Sequence, residues 1–504
     1  MNDLYHRFAY WADRAPDRTS IVEAETGRRI TYRHAFQAVQ EMRRWLGPSP
    51  RNIMALLPGG IPDALIWLTA LTGGHLLFPL APDAGDEERA RAVSMYKPDV
   101  LFLERQDQAR KFPLARARVL TRAESEKLID RAPQASGAPL DPVNGYVCLM
   151  TSGTTGKPKG VILDAQQIAW TADHVRISHR LAPSDVGLTP LPLFHVNGPV
   201  VSLSASIMTG STVVIARKFS RSHFWSWVED YHVTWASIVP TIVAILLTTP
   251  KPAFLPGTLR FVRTGAAPLP AGDLYAFEDK FGVPAIETYG LSEAASMVTA
   301  NPVPPGRRKP GSAGLPVGVS LRVCRPRQAD DTELLDVPRG DLGEICVRGP
   351  SLVSSYYGNT GREAFQDGWF RTGDLGCLDD EGYIHIDGRL RDEIIRGGEN
   401  IAPREVEEVL QEHPAVREAG VIGRPDRLLG EQVIAYVVLN EPWSPKLEWS
   451  LREHAAKNLS AHKVPVEFIG VDSLPRNEMG KLQHRRLQEH DAALQQLVIK
   501  EAVP

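Results

Sequence analysis

Cysteine is scarce in this sequence, because its 504 residues include only Cys148, Cys324, Cys346 and Cys377, with no C-x-x-C pair. This argues against a disulfide framework or a zinc cluster and is typical of a reducing compartment. An excess of charge is also absent, since 57 Lys and Arg against 60 Asp and Glu leave a net charge of −3. This balance argues against a nucleic-acid partner and against binding to an anionic membrane.

Long hydrophobic runs are missing as well. The longest apolar stretches, Ile61–Leu71 and Ser237–Leu247, contain Pro, Asp or Thr, and they are shorter than the roughly 18–20 residues that cross a membrane. Residues 1–17 carry charges where a signal peptide has an apolar core, and residues 501–504 match no retention or peroxisomal signal. We therefore predict a soluble, cytoplasmic protein that does not span a membrane.

From about residue 52 to residue 300, short apolar segments alternate with segments of helical periodicity. Such alternation predicts an α/β fold with layered, largely parallel sheets. The predicted strands are Ile53–Leu57, Leu76–Leu80, Val100–Leu103, Thr212–Ile215, Trp235–Val239 and Leu259–Thr264. The predicted helices between them are Leu65–Thr72, Glu87–Met95, Gln166–Ile177, Phe224–Tyr231 and Leu274–Phe281.

The pattern changes after about residue 310. Short strands between Gly and Pro turns predict a β-rich subdomain, and a second block with a helix at Pro403–Gln411 begins near residue 390. We therefore predict a large N-terminal domain over 1–389 and a small, mobile α+β C-terminal domain over 390–504.

A segment rich in glycine and hydroxyl groups follows the apolar residues Tyr146–Met150. Residues Thr151–Gly160 read TSGTTGKPKG, with three glycines, four hydroxyl side chains and two lysines. Exposed N–H groups, hydroxyls and ammonium groups together suit a triphosphate. The segment is not a Walker A loop, because Pro158 follows Lys157 and no glycine lies five residues before Gly156. On composition alone, a Ser/Thr/Gly-rich surface loop is an equal alternative.

Two further turns carry acidic side chains. Residues Thr288–Glu293 read TYGLSE, and Glu293 offers the oxygen ligand that Mg²⁺ prefers, although a solvated acid at a helix start is the more common alternative. Residues Arg371–Asp374 read RTGD, and Arg389 follows fifteen residues after Asp374. An Asp beside a Gly turn can accept both hydroxyls of a ribose, and a turn-capping Asp is the equal alternative.

The remaining candidates are a lysine, a histidine and a glycine pair. Gly480 lets Lys481 project from a tight turn, although a lone exposed Lys usually serves only solubility. His195 lies in the apolar segment Pro192–Gly198, where a core histidine is the more common alternative to a catalytic one. The pair Gly397-Gly398 is followed by Glu399, Asn400 and Ile401.

In this order the motifs resemble the adenylate-forming superfamily of acyl-CoA synthetases, adenylation domains and luciferases. Thr151–Gly160 matches that family's phosphate-loop signature at every fixed position, and Ser292 keeps the hydroxyl where the family has Thr. The Thr-Gly-Asp, Gly-Arg-x-x-Asp and Gly-Lys elements follow as Thr372–Asp374, Gly388–Asp392 and Gly480–Lys481. The resemblance covers the chain from about residue 4 to residue 490.

The resemblance implies an ATP-dependent ligase of small carboxylic acids and CoA. In this family the carboxylate attacks the α-phosphate of MgATP, which forms an acyl-adenylate and releases pyrophosphate, and a thiol then displaces AMP. The small C-terminal domain rotates between the two half-reactions. ATP, Mg²⁺ and CoA are thus the implied cofactors, and the oligomeric state is left open, as monomer or homodimer.

The resemblance also implies roles for individual residues. Lys481 and Glu293 would act in catalysis, with Glu293 and Thr151 at the Mg²⁺ ion, and His195 is a third catalytic candidate. The residues implied to bind ATP are Thr151, Ser152, Gly153, Thr154, Thr155, Gly156 and Lys157 at the phosphates, Gly265, Ala266, Ala267 and Tyr289 at the adenine, Asp374 and Arg389 at the ribose, and in addition Thr288, Gly290 and Ser292.

The acceptor of the acyl group is implied by the C-terminal motifs. Arg391 occupies the hinge position, where the family usually has Asp or Lys, and Gly397 and Gly398 would line the route of the CoA thiol. Residues Gly398–Pro403 look more like CoA ligases than like peptide-synthetase adenylation domains, and we expect no carrier domain after Lys481. CoA is therefore the favoured acceptor. The alternatives are transfer to a carrier protein or to a nitrogen nucleophile, including a nitrite-activating ligase that forms diazo products, and a non-catalytic binding protein.

The segments Lys218–Trp225 and Pro305–Gly311 are similar to the oxalate–CoA ligase branch of the family. This chain departs from that branch at Ala295-Ser296, where the branch has a His, and at Thr264, where it has a Ser after the residue matching Arg263. Arg263 either faces the acyl pocket or braces a strand, and we favour the brace.

Overall fold

The computed structural model describes residues 2–84, 86–112, 117–134, 137–151, 159–252, 257–327, 333–358, 361, 364–396, 399–426, 429–459, 463–477 and 480–502. The chain forms two compact units, Met1–Leu321 with Val347–Phe370, and Arg322–Cys346 with Arg371–Pro504. The predicted domain boundary between residues 389 and 390 lies inside the second unit and stays a prediction.

The helices follow the apolar periodicity and the capping residues of the sequence. In the helix Tyr32–Leu46, the Thr31 side chain accepts a hydrogen bond from the His34 N–H, and the helix ends at Gly47, whose φ is +86°. The described helices are α1 Asp3–Arg14, α2 Tyr32–Leu46, α3 Ile61–Gly73, α4 Asp86–Tyr96, α5 Arg122–Arg131, α6 Ala165–Ser178, α7 Ala205–Thr209, α8 Phe224–Asp230, α9 Pro240–Leu247, α10 Ala271–Phe281, α11 Pro403–Gln411, α12 Pro445–Asn458 and α13 His484–Ala502.

Several strands, such as Val100–Leu103 and Thr212–Ile215, are short and largely apolar, as expected for segments buried on both faces of a sheet. The described strands are β1 Thr19–Glu23, β2 Arg29–Thr31, β3 Asn52–Leu56, β4 Leu76–Pro79, β5 Val100–Leu103, β6 Arg118–Thr121, β7 Tyr146–Thr151, β8 Lys159–Asp164, β9 Val186–Thr189, β10 Thr212–Ile215, β11 Trp235–Ile238, β12 Phe261–Thr264, β13 Ala285–Tyr289, β14 Thr299–Ala300, β15 Leu315–Pro316, β16 Ser320–Cys324, β17 Gly343–Arg348, β18 Phe365–Gln366, β19 Trp369–Leu378, β20 Ile384–Arg389, β21 Ile394–Arg396, β22 Glu399–Ile401, β23 Val416–Asp426, β24 Gly430–Leu439 and β25 Glu467–Gly470.

Two largely parallel sheets form the first unit, which confirms the predicted α/β class. One sheet has the order β15-β14-β13-β12-β11-β9-β10-β1-β2, and the other has the order β6-β5-β3-β4-β7-β8. In the larger sheet, the neighbouring strands β1, β10, β9, β11, β12 and β13 pair in parallel. The antiparallel strands β2, β14 and β15 lie at its two ends. The carboxyl ends of β11, β12 and β13 therefore meet at one edge of the sheet.

The two longest apolar stretches belong to the core of the first unit. The stretch at Ile61–Leu71 lies in α3, whose Leu65, Trp67 and Leu71 are buried in the main hydrophobic cluster. The stretch at Ser237–Leu247 is divided between β11 and α9. Among the described residues, no helix combines the length and the apolar character needed to cross a membrane.

The later strands form two smaller sheets. The first has the order β16-β17-β19-β18 with β20 beside β19, and it corresponds to the β-rich part predicted after residue 310. The second has the order β22-β21-β24-β23 with β25 beside β24. Val406 of α11, Leu451 of α12 and Val437 of β24 share its core, so the predicted α+β character of the C-terminal part is confirmed.

Candidate active site

The ends of β12 and β13 bring two predicted segments together. β12 ends at Thr264 and continues into residues 265–267, while β13 carries Thr288 and Tyr289 to the same edge. The Thr288 hydroxyl donates to the Thr264 carbonyl at 2.7 Å. A Cβ at Gly265 would lie 2.8 Å from that hydroxyl, so glycine is required for this close approach. The role of these residues at the adenine of ATP stays a prediction.

A tight turn after β13 presents Glu293. A Cβ at Gly290 would lie 1.4 Å from the Ser296 carbonyl oxygen, so only glycine allows the chain to fold back here. Ser292 and Glu293 lie in a short 3₁₀ helix, and Ala295 and Ser296 take positive φ values of 52° and 93°. Glu293 thus lies in the first turn of a short 3₁₀ helix, and its role at a metal ion stays a prediction.

Tyr356 joins the Glu293 turn to the phosphate-loop hairpin. Its hydroxyl donates to Glu293 Oε1 at 2.7 Å, and Lys159 Nζ lies 4.9 Å from the centroid of its ring. The Val353 N–H donates to the Glu293 carbonyl at 2.8 Å, which fixes the backbone of the turn. Because Tyr356 is only 7% exposed, these contacts lie where electrostatic interactions are less screened by water. Lys159, which follows the predicted phosphate loop, and the Glu293 turn therefore contact the same tyrosine.

The strands on either side of the predicted phosphate loop, β7 and β8, pair in an antiparallel arrangement. β7 and β8 pair so that Thr151 lies opposite Lys159, which places the two ends of the loop side by side. A Cβ at Gly160 would lie 2.8 Å from Cys148 Sγ, so this glycine is required for packing. The parts that lie outside the described residues are Ser152, Gly153, Thr154, Thr155, Gly156 and Lys157, together with the Thr151 side chain.

Arg263 of β12 lies beneath this edge of the sheet and is 2% exposed. Its Nη1 donates to Asn197 Oδ1 at 2.7 Å and to Ser237 Oγ at 3.2 Å, and its Nη2 donates to Thr288 Oγ1 at 2.5 Å. Burial lowers the pKa of the Arg263 guanidinium to about 9. Arg263 thus braces three neighbouring elements, as favoured from the sequence, through partners that are all uncharged.

His195 lies beside this group along the chain. It is partly exposed, and its ring centroid lies 4.7 Å from that of Phe194. Two residues later, Asn197 begins a π-helical segment that ends at Ser204, and π-helical turns are frequent at functional sites. The catalytic role of His195 stays a prediction.

In the second unit, the two residues predicted at the ribose are neighbours. Asp374 of β19 lies directly opposite Arg389 of β20, and Arg389 Nε is 2.9 Å from Asp374 Oδ1. The Asp374 side chain is 10% exposed and the Arg389 side chain is 34% exposed. The ion pair holds the carboxylate in one orientation, and its contact with a ribose stays a prediction.

Glu344 of β17 organises the turn that carries Asp374. Its Oε2 accepts a hydrogen bond from Arg371 Nε at 2.8 Å, and its Oε1 accepts one from the Gly373 N–H at 3.1 Å. The side chains of Glu344 and Arg371 are each 6% exposed. One buried carboxylate therefore neutralises the buried arginine and fixes the backbone of Thr372–Asp374 at the same time.

Replacing Glu344 by Gln is expected to lower the free energy of unfolding of the second unit by about 3 kcal/mol, because it leaves the buried Arg371 without a countercharge. Urea unfolding followed by circular dichroism measures this change. The matched control is Glu418→Gln, which breaks the half-exposed pair with Arg476 and is expected to cost about 1 kcal/mol or less. Equal losses in the two variants would contradict the special role of Glu344.

Lys481 lies in a tight turn of the second unit. The Lys481 N–H donates to Asn477 Oδ1 at 2.8 Å, the Asn477 N–H donates to the Lys481 carbonyl at 2.9 Å, and Gly480 has a φ of +75°. This φ favours glycine, so the structure explains why Gly precedes the lysine. The catalytic role of Lys481 stays a prediction.

His484 ties the chain after Lys481 to two carboxylates. Its Nε2 lies 2.6 Å from Glu407 Oε1, and its Nδ1 lies 3.9 Å from Asp392 Oδ2. Burial lowers the pKa of the imidazole, but the two carboxylates outweigh burial and raise the pKa above its usual value. The contact with Glu407 therefore ties the segment after Lys481 to α11.

The predicted hinge and CoA residues are only partly described. Arg391 lies in the 3₁₀ helix Leu390–Asp392, and its side chain is outside the described part of the chain. Gly397 and Gly398 also lie outside the described residues. The hinge and CoA-binding roles of these residues stay predictions.

The structure adds three residues that the motifs did not reveal. Asn197 lies in the segment singled out for His195, where a polar side chain among apolar neighbours was a usable signal. Glu344 stands alone in the apolar strand β17, which is typical of a buried acid with a partner. Tyr356 belongs to no motif, and its contact with Glu293 joins residues 63 positions apart.

A two-layered α/β unit with this site, accompanied by a unit that carries the lysine turn, is typical of an adenylate-forming enzyme. Residues 8–357 match the family model of the AMP-binding enzyme, and residues 405–481 match that of the AMP-binding enzyme C-terminal domain. The chain belongs to the AMP-binding enzyme family. The predicted superfamily is thereby confirmed.

Named relatives and solved structures support the same assignment. The chain is 41% identical over 355 residues to the sulfoacetate–CoA ligase of Cupriavidus necator, covering 70% of this chain and 68% of that protein. It is 36% identical over 381 residues to the oxalate–CoA ligase of Arabidopsis thaliana, covering 74% and 72%. The O-succinylbenzoate coenzyme A synthetase of Bacillus subtilis, in complex with ATP and a magnesium ion, has a TM-score of 0.81 at 27% identity, covering 96% of this chain and 99% of that one. These similarities confirm the predicted acid–thiol ligase class.

Proposed function

We propose that the protein is an ATP-dependent ligase that activates a small carboxylic acid as an acyl-adenylate and transfers it to CoA. The observation that carries the proposal is the contact of Tyr356 with both Lys159 and Glu293, because it places the end of the phosphate-loop hairpin beside the candidate metal ligand. Membership of a family with named CoA ligases supports the same reaction.

The first half-reaction must bring two anions together. Unit charges about 4 Å apart repel by about 4 kcal/mol at an effective dielectric of about 20. We infer that Lys481 offsets this repulsion as charge develops on the α-phosphate, while residues 151–157 hold the β- and γ-phosphates. Asp374, oriented by Arg389, would accept the ribose hydroxyls.

Mg²⁺ is part of the proposal. The residues at the site fit this ion, because Glu293 supplies a carboxylate in a turn that Tyr356 and the Val353 N–H hold in place. Among the described residues, no group of three or more His, Cys, Asp and Glu side chains could hold a metal ion, so the phosphates of ATP would complete the coordination. When bound, the ion would neutralise phosphate charge.

CoA is the proposed acceptor. The named relatives are CoA ligases, and neither a carrier protein nor a nitrogen nucleophile is favoured by them. The relatives differ in the acid that their names state, so the family leaves the acid of this protein open. A cytoplasmic location, where ATP and CoA are available, fits the four free cysteines of the chain.

The proposal is tested by pyrophosphate and AMP release from MgATP with a panel of acids, each with and without CoA. The panel contains oxalate, sulfoacetate, short fatty acids, aryl acids and nitrite. We expect one class of acid to support steady turnover only when CoA is present. Acid-dependent release that is indifferent to CoA would contradict the proposed acceptor, and release that no acid stimulates would contradict the proposed function as a whole.

A further inference from the structure

The positive charge of Arg263 has no countercharge in the part of the chain that the structure describes. Its hydrogen-bond partners Asn197, Ser237 and Thr288 are all neutral. Among the other buried arginines, Arg122 pairs with Glu23 and Arg371 with Glu344. Arg43 donates to the backbone carbonyls of Leu140 and Asp141 and lies over the Tyr5 ring. A buried cation is costly unless an anion compensates it. The structure therefore leaves a requirement for an anion at Arg263.

One edge of the guanidinium is prepared for such an anion. Nε has no hydrogen-bond partner among the described residues, and Nη2 donates one hydrogen bond, to Thr288. Nε and Nη2 lie on the same side of the planar group and can bind two oxygens of one oxyanion. A Cβ at Gly265 would lie 3.2 Å from Nη2, so the backbone of this glycine packs closely against the same group.

The hydrogen bonds of Arg263 do not include the residues that lie around the phosphate hairpin. The contacts of Lys159, Tyr356 and Glu293 form one cluster, and none of the three is a hydrogen-bond partner of Arg263. Asn197, which orients Arg263, follows the partly exposed His195 by two residues. The hydrogen bonds of Arg263 therefore connect it to Asn197, to Ser237 of β11 and to Thr288 of β13, and not to the phosphate hairpin.

We propose that Arg263 binds a second anionic group of the acid substrate, so that the substrate is a small acid with a carboxylate, sulfonate or phosphonate besides the reacting carboxylate. This inference rests on the proposed ligase function. Bracing of β11, β12 and β13 does not require a charge, since a neutral amide or hydroxyl also forms such hydrogen bonds. The charge is explained by an anion that arrives with the substrate.

The test compares acids with analogues of the same size that lack the second charge. The pairs are oxalate with oxamate, succinate with succinamate, and sulfoacetate with methylsulfonylacetate. For the unaltered enzyme we expect kcat/KM of CoA-dependent AMP release to be at least about 100-fold higher for the dianion of the preferred pair. Arg263→Met is expected to bring this ratio close to one, and Arg263→Lys is expected to keep part of it.

Three outcomes would overturn the inference. If Arg263 serves only as a brace, Arg263→Met lowers the melting temperature and lowers kcat/KM equally for the two acids of a pair. The ratio of the two kcat/KM values is then unchanged. A nucleotide phosphate bound at Arg263 predicts a higher KM for ATP with every acid, again with an unchanged ratio. A preference of the unaltered enzyme for monoanions would also contradict it, while CoA-dependent turnover of those acids would leave the ligase function standing.

A binding measurement covers the case in which the Arg263 variants fail to fold. Thermal unfolding of the unaltered protein is followed in the presence of AMP and each member of the three pairs. We expect the dianion of the preferred pair to raise the melting temperature more than its neutral-tailed analogue at equal concentration. Equal shifts within every pair would count against the second anion site without bearing on the ligase chemistry.

Discussion

Replacement of Lys481 by Ala is expected to slow acid-dependent pyrophosphate release by about 1,000-fold, because the α-phosphate loses the positive charge that offsets the approach of the carboxylate. Thioester formation from a supplied acyl-adenylate is expected to stay within a few-fold of the original rate. The two half-reactions are measured separately, the first by pyrophosphate release and the second by CoA-dependent AMP release from the synthetic adenylate.

Lys457→Ala is the matched control, because Lys457 is an exposed lysine on α12 of the same unit. It should leave both half-reactions unchanged. If Lys481→Ala slowed both half-reactions equally, the division of labour between them would be wrong. If it slowed neither, the role transferred to Lys481 by resemblance would be wrong.

Glu293→Gln is expected to reduce adenylate formation by about 100-fold or more, because the neutral amide is a poorer Mg²⁺ ligand while the size of the side chain is kept. The concentration of Mg²⁺ needed for half-maximal rate should also rise. Pyrophosphate release over a titration of Mg²⁺ at saturating ATP measures both effects.

Two further variants sharpen the interpretation of Glu293. Tyr356→Phe removes the hydroxyl that donates to Glu293 but keeps the ring beside Lys159, so we expect a smaller loss of about tenfold. Glu229→Gln alters an exposed acid of α8 in the same unit and should change nothing. A Mg²⁺ dependence unaffected by Glu293→Gln would argue that the carboxylate serves only to hold Tyr356.

Much of the fold follows from local pattern. The strand Val100–Leu103 and the helix Pro403–Gln411 have the predicted bounds, since each combines an apolar period with a Pro or a turn at its end. The prediction for α3 was less accurate, because the helix begins at Ile61 rather than at Leu65. Pro62 lies in the first turn of this helix, where proline is favourable because a backbone N–H at that position would have no helical partner.

The residues of the candidate site also fall into two groups, those predicted from local sequence motifs and those that were not predicted. The motifs around Glu293, Asp374 and Lys481 were predicted because each combines a glycine turn with a functional side chain over a few residues. The partners Tyr356 and Glu344 were not predicted, because they are brought in by strand pairing and by turns distant in sequence. The preference for a bracing role of Arg263 was sound for its contacts, whereas the missing countercharge became visible only in the structure.

The sequence by itself determined the α/β class, the order of the motifs and the family, because periodicity, turn chemistry and motif spacing are local properties of the chain. The tertiary structure decided which groups meet: Tyr356 between Lys159 and Glu293, Glu344 beneath the turn of Asp374, and neutral partners around the buried Arg263. Such contacts depend on sheet register and on burial, which determine both the neighbours of a charge and the energetic cost of leaving it uncompensated.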